Sequence, residues 1–182
     1  YGELERGGPQ GYGMFTTNFG DMHLSEIHDL KKNGVGISSS SSGSLFLGEY
    51  QNNKRQGYGI LEHPQVGTYE GQWENNNMTG LGILKYKCGY TYIGHVKKAK
   101  LEGYGKFIWK NGEFFIGKFK NGAKYEGKLY YSDDGGIFDA KWTKNGTIGK
   151  GKYYYPDGSV KKRIRNTDKK EWYNDNYQMR EV

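Results

Sequence analysis

The stretch Gly146-Thr147-Ile148-Gly149-Lys150-Gly151-Lys152 has the glycine and lysine spacing of a loop that cradles nucleotide phosphates. Such a loop needs a Ser or Thr directly after its lysine to hold magnesium, and Tyr153 stands there instead. It also needs a strand leading into a helix, whereas these residues read as a hairpin turn. His23, His28, His63 and His95 lie in four different contexts. No Cys or carboxylate joins them at metal-ligand spacing, so they read as surface or packing histidines. Cys88 is the single cysteine, with Lys85 and Lys87 close by. No Ser, His or Asp arrangement accompanies it. Asp133-Asp134 read as turn residues. The sequence therefore gives no catalytic residue, no metal ligands and no cofactor site, and the chain does not read as an enzyme.

Two basic sets remain. Lys97, Lys98 and Lys100 fall in one hairpin turn, while Lys161, Lys162, Arg163, Arg165, Lys169 and Lys170 gather near the C-terminal end. A solvated surface explains them blandly. The functional alternative is an anionic partner, because each lysine near an anionic leaflet adds about 1 kcal/mol of attraction. The net charge of +7 is unevenly placed. Residues 1–91 hold seven Lys and Arg against nine Asp and Glu, and residues 92–182 hold twenty against eleven. A basic half can meet anionic lipid, nucleic acid or an acidic protein. Rows of aromatics can stack bases, but the repeat described next accounts for their spacing, so nucleic acid is not the expected partner.

The elements that position these residues follow from a glycine ladder. Gly-x-Gly recurs at Gly11-Gly13, Gly34-Gly36, Gly57-Gly59, Gly80-Gly82, Gly103-Gly105 and Gly149-Gly151. The first five pairs are evenly spaced, the sixth falls two steps later, and a weaker copy around Gly127 fills the gap before it. A fixed period of that length marks an array of small supersecondary units. Arrays bind along surfaces and seldom carry one catalytic pocket. The composition agrees. Of 182 residues, 34% are hydrophobic, and 17 Tyr, 8 Phe, 4 Trp and 30 Gly stand against 3 Pro. That suits an aromatic-rich single layer of β-structure better than an ordinary two-layer core.

Alternation at period two makes each copy a hairpin. Tyr69, Gly71 and Trp73 share one face of the first strand, with Glu70 and Gln72 on the other. Gly80, Gly82, Leu84 and Tyr86 share a face of the second. A ring can fold over a neighbouring glycine, which presents no Cβ to block it. Asn121-Gly122 and Asn145-Gly146 supply turns within hairpins, and Asn111-Gly112 and Asp157-Gly158 supply turns between them. The copies run near 1–20, 23–43, 46–67, 69–89, 92–112, 115–135 and 138–158. In the second, His23, Ser25 and Ile27 replace the aromatic-Gly-aromatic strand, and the serines at 38–42 predict an irregular or mobile edge at 37–45. The sixth keeps only Gly127 of its pair, which predicts a register adjustment near 122–136.

Tyr69-Glu70-Gly71-Gln72-Trp73-Glu74-Asn75, followed by Gly80-Leu81-Gly82-Ile83-Leu84, resembles a MORN repeat. So does Leu47-Gly48-Glu49-Tyr50-Gln51-Asn52 running to Gly57-Tyr58-Gly59-Ile60-Leu61, and so does Tyr153-Tyr154-Tyr155-Pro156-Asp157-Gly158. The resemblance covers roughly residues 1–160, as about seven copies. It implies an all-β fold: stacked hairpins in one long, single-layer antiparallel sheet, twisted and curled into a groove. Residues 161–182 form a basic and aromatic cap or tail. Asp168-Lys169-Lys170-Glu171 matches a capping box, and the resemblance implies a short terminal helix packed on the sheet.

The function expected is a non-catalytic scaffold that binds a helix or extended peptide in an aromatic groove, or pairs with a second copy. The groove residues are Tyr50, Tyr69, Trp73, Tyr86, Tyr92, Phe107, Trp109, Phe115, Phe119, Trp142, Tyr153 and Tyr155. The resemblance implies cytoskeletal, ciliary or membrane-associated assemblies. One alternative is a peripheral module binding anionic phospholipid through the basic half. Another is an accessory domain of a larger enzyme, since MORN arrays also accompany lysine methyltransferase and phosphatidylinositol phosphate kinase domains. A single cysteine suits a reducing, cytoplasmic compartment. The start at Tyr1 reads as a fragment of a longer chain.

Overall fold

The computed structural model describes residues 3–5, 8–142 and 148–162, with side chains for 11–142 and 151–161. Every element among the described residues is a strand. The chain divides into two compact units, one ending at Lys87 and the other beginning at Cys88. The first unit holds β1 (Glu3–Glu5), β2 (Gly8–Thr16), β3 (Met22–His28), β4 (Lys31–Ser39), β5 (Leu45–Gln51), β6 (Lys54–His63), β7 (Gly67–Glu74) and β8 (Asn77–Tyr86). The second holds β9 (Thr91–Lys97), β10 (Lys100–Ile108), β11 (Phe114–Lys120), β12 (Ala123–Tyr130), β13 (Ile137–Trp142), β14 (Ile148–Tyr154) and β15 (Val160–Lys162). Within each unit every strand pairs antiparallel with the next in the chain. This is the hairpin array the sequence led to. The helix expected from Asp168 and the turn at Asn145-Gly146 lie outside the described residues.

Two kinds of turn alternate. Inside the repeats, Asp29-Leu30, Asn52-Asn53, Asn75-Asn76, Lys98-Ala99 and Asn121-Gly122 recur at the step of the glycine ladder, with both φ angles positive. Tight hairpins favour such turns because their twist matches that of the strands. Between repeats the turns are wider. Trp109 N–H donates to the Glu113 carbonyl at 2.9 Å and Gly112 N–H to the Trp109 carbonyl at 3.0 Å.

The serine-rich segment departs from expectation. Ser40 N–H donates to the Ser44 carbonyl at 2.8 Å and Gly43 N–H to the Ser40 carbonyl at 2.9 Å, the same closure as at 109–113. Ser44 N–H also donates to Ser40 Oγ at 3.1 Å. Residues 37–39 belong to β4, and Ser38 Oγ pairs with Tyr50 OH at 2.5 Å. Hydroxyls that satisfy a turn and a ring hydroxyl replace the missing aromatics, so this edge is regular.

The two glycines of each pair do different work. The first lies in a bulge: Gly71 pairs with Gly82, but Gln72 pairs with Thr79, which leaves Gly80 and Leu81 as extra residues. Gly80 takes φ +59°, a conformation that side chains with a Cβ resist. At Gly59, Gly82, Gly105 and Gly151 the second lies beneath a ring, whereas Gly36 meets Ser25 instead. Phe46, Tyr69, Tyr92, Phe115 and Phe138 recur at that same step, each at most 2% exposed. A Cβ added at Gly59 would sit 2.5 Å from Phe46 Cζ, and one at Gly105 would sit 2.5 Å from Tyr92 Cε2. In the sixth copy Lys118 pairs with Glu126 and Phe119 with Lys124, so its bulge has one extra residue instead of two. That is the register adjustment, falling just before and into the expected segment.

Candidate partner-binding surfaces

The inner face of each unit is a chain of rings meeting edge to face. In the first, Phe46 lies 5.3 Å from Tyr50 and 5.2 Å from Trp73, and Tyr69 lies 5.4 Å from Trp73. In the second, Phe119 lies 5.1 Å from Tyr92 and 5.2 Å from Phe115, and Phe115 lies 5.0 Å from Trp142. Such contacts add about 0.5–1.5 kcal/mol each beyond the area they bury. Tyr69 OH donates to the carbonyls of Gln72 and Thr79 at 2.9 and 3.1 Å. Burial pushes its hydroxyl pKa well up. Trp73 Nε1 donates to the Gly59 carbonyl at 3.2 Å.

These are the residues expected to line a groove. Tyr50, Tyr69, Trp73, Tyr86, Tyr92, Trp109, Phe115, Phe119, Trp142 and Tyr153 are buried. Phe107 is half-buried, and Tyr155, at 38%, is exposed. The rings are brought together, mainly against one another. Tyr153 OH donates to Asp134 at 2.5 Å. Burial and that carboxylate raise its pKa. Of the basic residues, Lys97, Lys98, Lys100 and Lys161 are exposed. The side chain of Lys162, and Arg163, Arg165, Lys169 and Lys170, lie outside the described residues.

The outer face carries a pattern that sequence reasoning missed. Strand register sets Met14 opposite Leu24, Leu24 opposite Ile37, Ile37 opposite Leu47, and Leu47 opposite Ile60. These five aliphatic side chains form one row across five strands, with exposures of 55, 47, 42, 44 and 36%. Glu26, Glu49 and Glu62 stand on the same face of β3, β5 and β6, beside the row. The row continues through Glu70 to Ile83. In the second unit the equivalent row is Ile93, Lys106, Ile116, Lys128, Asp139 and Lys152. The signal lies in the period, because positions 24, 47, 70, 93, 116 and 139 read Leu, Leu, Glu, Ile, Ile, Asp.

Among the described residues no group of three or more His, Cys, Asp and Glu could hold a metal ion. No described helix is long and apolar enough to cross a membrane.

The MORN repeat model matches residues 46–65, 69–87, 92–114 and 149–160. The first three segments contain the rings Phe46, Tyr69 and Tyr92 with their glycine pairs, and the fourth contains Gly151 and Tyr153. No curated protein matches the chain. Among solved structures, the chain is similar to the SAS-4 (dCPAP) TCP domain of Drosophila melanogaster, solved in complex with a proline-rich motif of Ana2 (dSTIL). There the identity is 16%, over 89% of this chain and 99% of that one, with a TM-score of 0.48. It is also similar to a point mutant of the TCP10 domain of Danio rerio CPAP, at 16% identity over 81% of this chain and 68% of that one, TM-score 0.36. A third is the CPAP G-box domain, at 11% identity over 85% and 99%, TM-score 0.31.

Proposed function

We propose that the chain is a non-catalytic scaffold for protein–protein interaction, built from about seven copies of the repeat and acting in a cytoplasmic assembly of cytoskeletal, ciliary or membrane-associated kind. One observation carries the reading: five aliphatic side chains stand in register on the outer face of the first unit and are exposed to solvent. Contiguous exposed apolar surface rimmed by polar groups marks interaction sites. Five strands at about 4.8 Å give the row a length of about 19 Å. That equals roughly 13 residues of helix at about 1.5 Å per residue. The glutamates beside the row favour a partner segment with basic residues flanking its apolar face. The occupant is therefore an amphipathic, basic segment of another protein. Seating a partner among the inner rings is the weaker alternative, since most of those rings are already buried against one another.

The test pairs Leu47→Lys with Ile60→Lys. The double variant should keep its melting temperature and lose the partners that the wild-type chain captures. Partners retained by the folded variant overturn the reading, and so does capture of a second copy of this chain alone.

A second reading rests on the exposure of Lys97, Lys98 and Lys100 in one turn. These three would meet anionic lipid. Flotation with vesicles should then depend on anionic lipid and fall with salt, and flotation indifferent to both contradicts it.

A further inference from the structure

The inner face of the first unit holds a feature the fold does not require. Repeat equivalence places Lys32, Arg55, Met78 and Leu101 at one position in successive copies, each paired with the last inner residue of the preceding strand. Met78 and Leu101 are 1% and 8% exposed and show that the position accepts an apolar side chain. Lys124 takes the place in the sixth copy, buried and laid over Trp109 at 4.7 Å. Lys32 and Arg55 differ in being successive cations of one unit that flank Tyr50 of β5, Lys32 laid over its ring and Arg55 opposite it in register.

Their surroundings are aromatic. Lys32 Nζ lies 4.8 Å from the Tyr50 ring centre, and the Arg55 guanidinium lies 4.9 Å from that of Phe46 and 5.1 Å from that of Trp73. His23 Nδ1 is 3.3 Å from Lys32 Nζ, and Ser38 Oγ meets Tyr50 OH. Among the described residues neither cation forms an ion pair, unlike Lys141, which meets Glu126 at 3.7 Å. Asp21 acts on Lys32 through space, but its Oδ1 accepts the Ser41 N–H at 2.9 Å. Burial and then the Arg55 charge hold the Lys32 ammonium below its ordinary pKa, and burial and then Lys32 do the same to His23. Two half-buried cations thus repel one another where an apolar residue would serve the fold.

We propose that Lys32 and Arg55, with His23 and the Ser38–Tyr50 hydroxyl pair, form a binding site for a phosphate monoester dianion carried on a soluble partner. A dianion neutralises both cations, whereas a carboxylate leaves one charge unpaired. The guanidinium fork, the ammonium and a hydroxyl proton supply donors of the kind phosphate oxygens take. Half-enclosure by rings suits one projecting group better than a flat leaflet. The site lies on the opposite face from the outer aliphatic row, so it stands or falls apart from the function proposed above.

The test follows melting temperature against inorganic phosphate, acetate and chloride at matched ionic strength, since a ligand that binds only the folded state raises it. Phosphate should raise the wild-type melting temperature, and acetate and chloride should not. Lys32→Met and Arg55→Met, which copy the side chain of Met78, should each weaken the phosphate response about tenfold. Lys128→Leu and the Leu47→Lys Ile60→Lys pair should keep it. In wild-type protein, phosphate should shift the amide resonances of Lys32, Tyr50 and Arg55, a readout independent of variant folding. A phosphate response equal to that of acetate or chloride overturns the proposal, and so does one unchanged in Lys32→Met. Vesicles carrying a phosphatidylinositol monophosphate form the other arm. Flotation lost in Lys32→Met would transfer the site to a membrane and overturn the assignment to a soluble partner; unchanged flotation supports it.

Discussion

The outer rows of the two units have the same backbone and different chemistry. In the first unit the row reads Met14, Leu24, Ile37, Leu47, Ile60, Glu70, Ile83; in the second it reads Ile93, Lys106, Ile116, Lys128, Asp139, Lys152. The inner faces do not diverge this way. Phe46 and Phe115 each cover a pair of glycines and each meet two further rings edge to face. Folding demands the inner pattern, because a ring needs a bare backbone beneath it. It places no such demand on the outer face, so lysine and leucine serve equally well there. The divergence is therefore where function can be written.

The sharpest check on the shared inner face is to empty it. Phe46→Ala and Phe115→Ala should each cost about 3–5 kcal/mol in chemical denaturation. A loss confined to one unit would break the equivalence. Filling the space beneath the rings comes next. Gly59→Ala and Gly105→Ala should each cost about 1–3 kcal/mol, because the new methyl meets Phe46 or Tyr92.

The tight turns give a smaller contrast. Asn53 at φ +68° uses its Oδ1 to accept the Lys32 N–H at 2.7 Å, while exposed Leu30 at φ +60° has no such recompense. Leu30→Asn should raise stability by about 1 kcal/mol, read from the denaturation midpoint. On the outer face, Leu47→Lys and Lys128→Leu should each change stability by no more than about 0.5 kcal/mol. A larger loss for Leu47→Lys alone would mean that the aliphatic row is structural.

Acid sharpens the difference between the second copy and its neighbours. His23 has its pKa lowered by burial and then by Lys32. Below the ordinary histidine value of 6.5 the unfolded chain binds the proton first. Stability contributed by this site is thus complete above about pH 6.5 and falls as pH drops toward the folded pKa. Melting curves from about pH 7.5 to about pH 5 should show that decline, and His23→Gln should flatten part of it.

Much of this is legible in the glycines. Their step locates the hairpins, and period two separates Tyr69 and Trp73 from Glu70 and Gln72. The serines at 38–44 mislead because a run without rings looks irregular, although Ser40 closes its turn by the same backbone bonds as Trp109. The inner rings stand out in the sequence as a set, but composition does not say whether a ring faces a partner or another ring. That depends on edge-to-face distances that only the fold supplies. The outer row escapes notice because its residues lie on five different strands, and register alone makes them neighbours.

The most direct test places a photo-crosslinking amino acid at position 47 and, separately, at its repeat equivalent 139, in the full chain within cell extract. The scaffold account predicts that one protein is captured at 47, through an amphipathic basic segment identified by mass spectrometry, and that Ile60→Lys abolishes the adduct. Equal capture at both positions, or an adduct at 47 indifferent to Ile60→Lys, would contradict it.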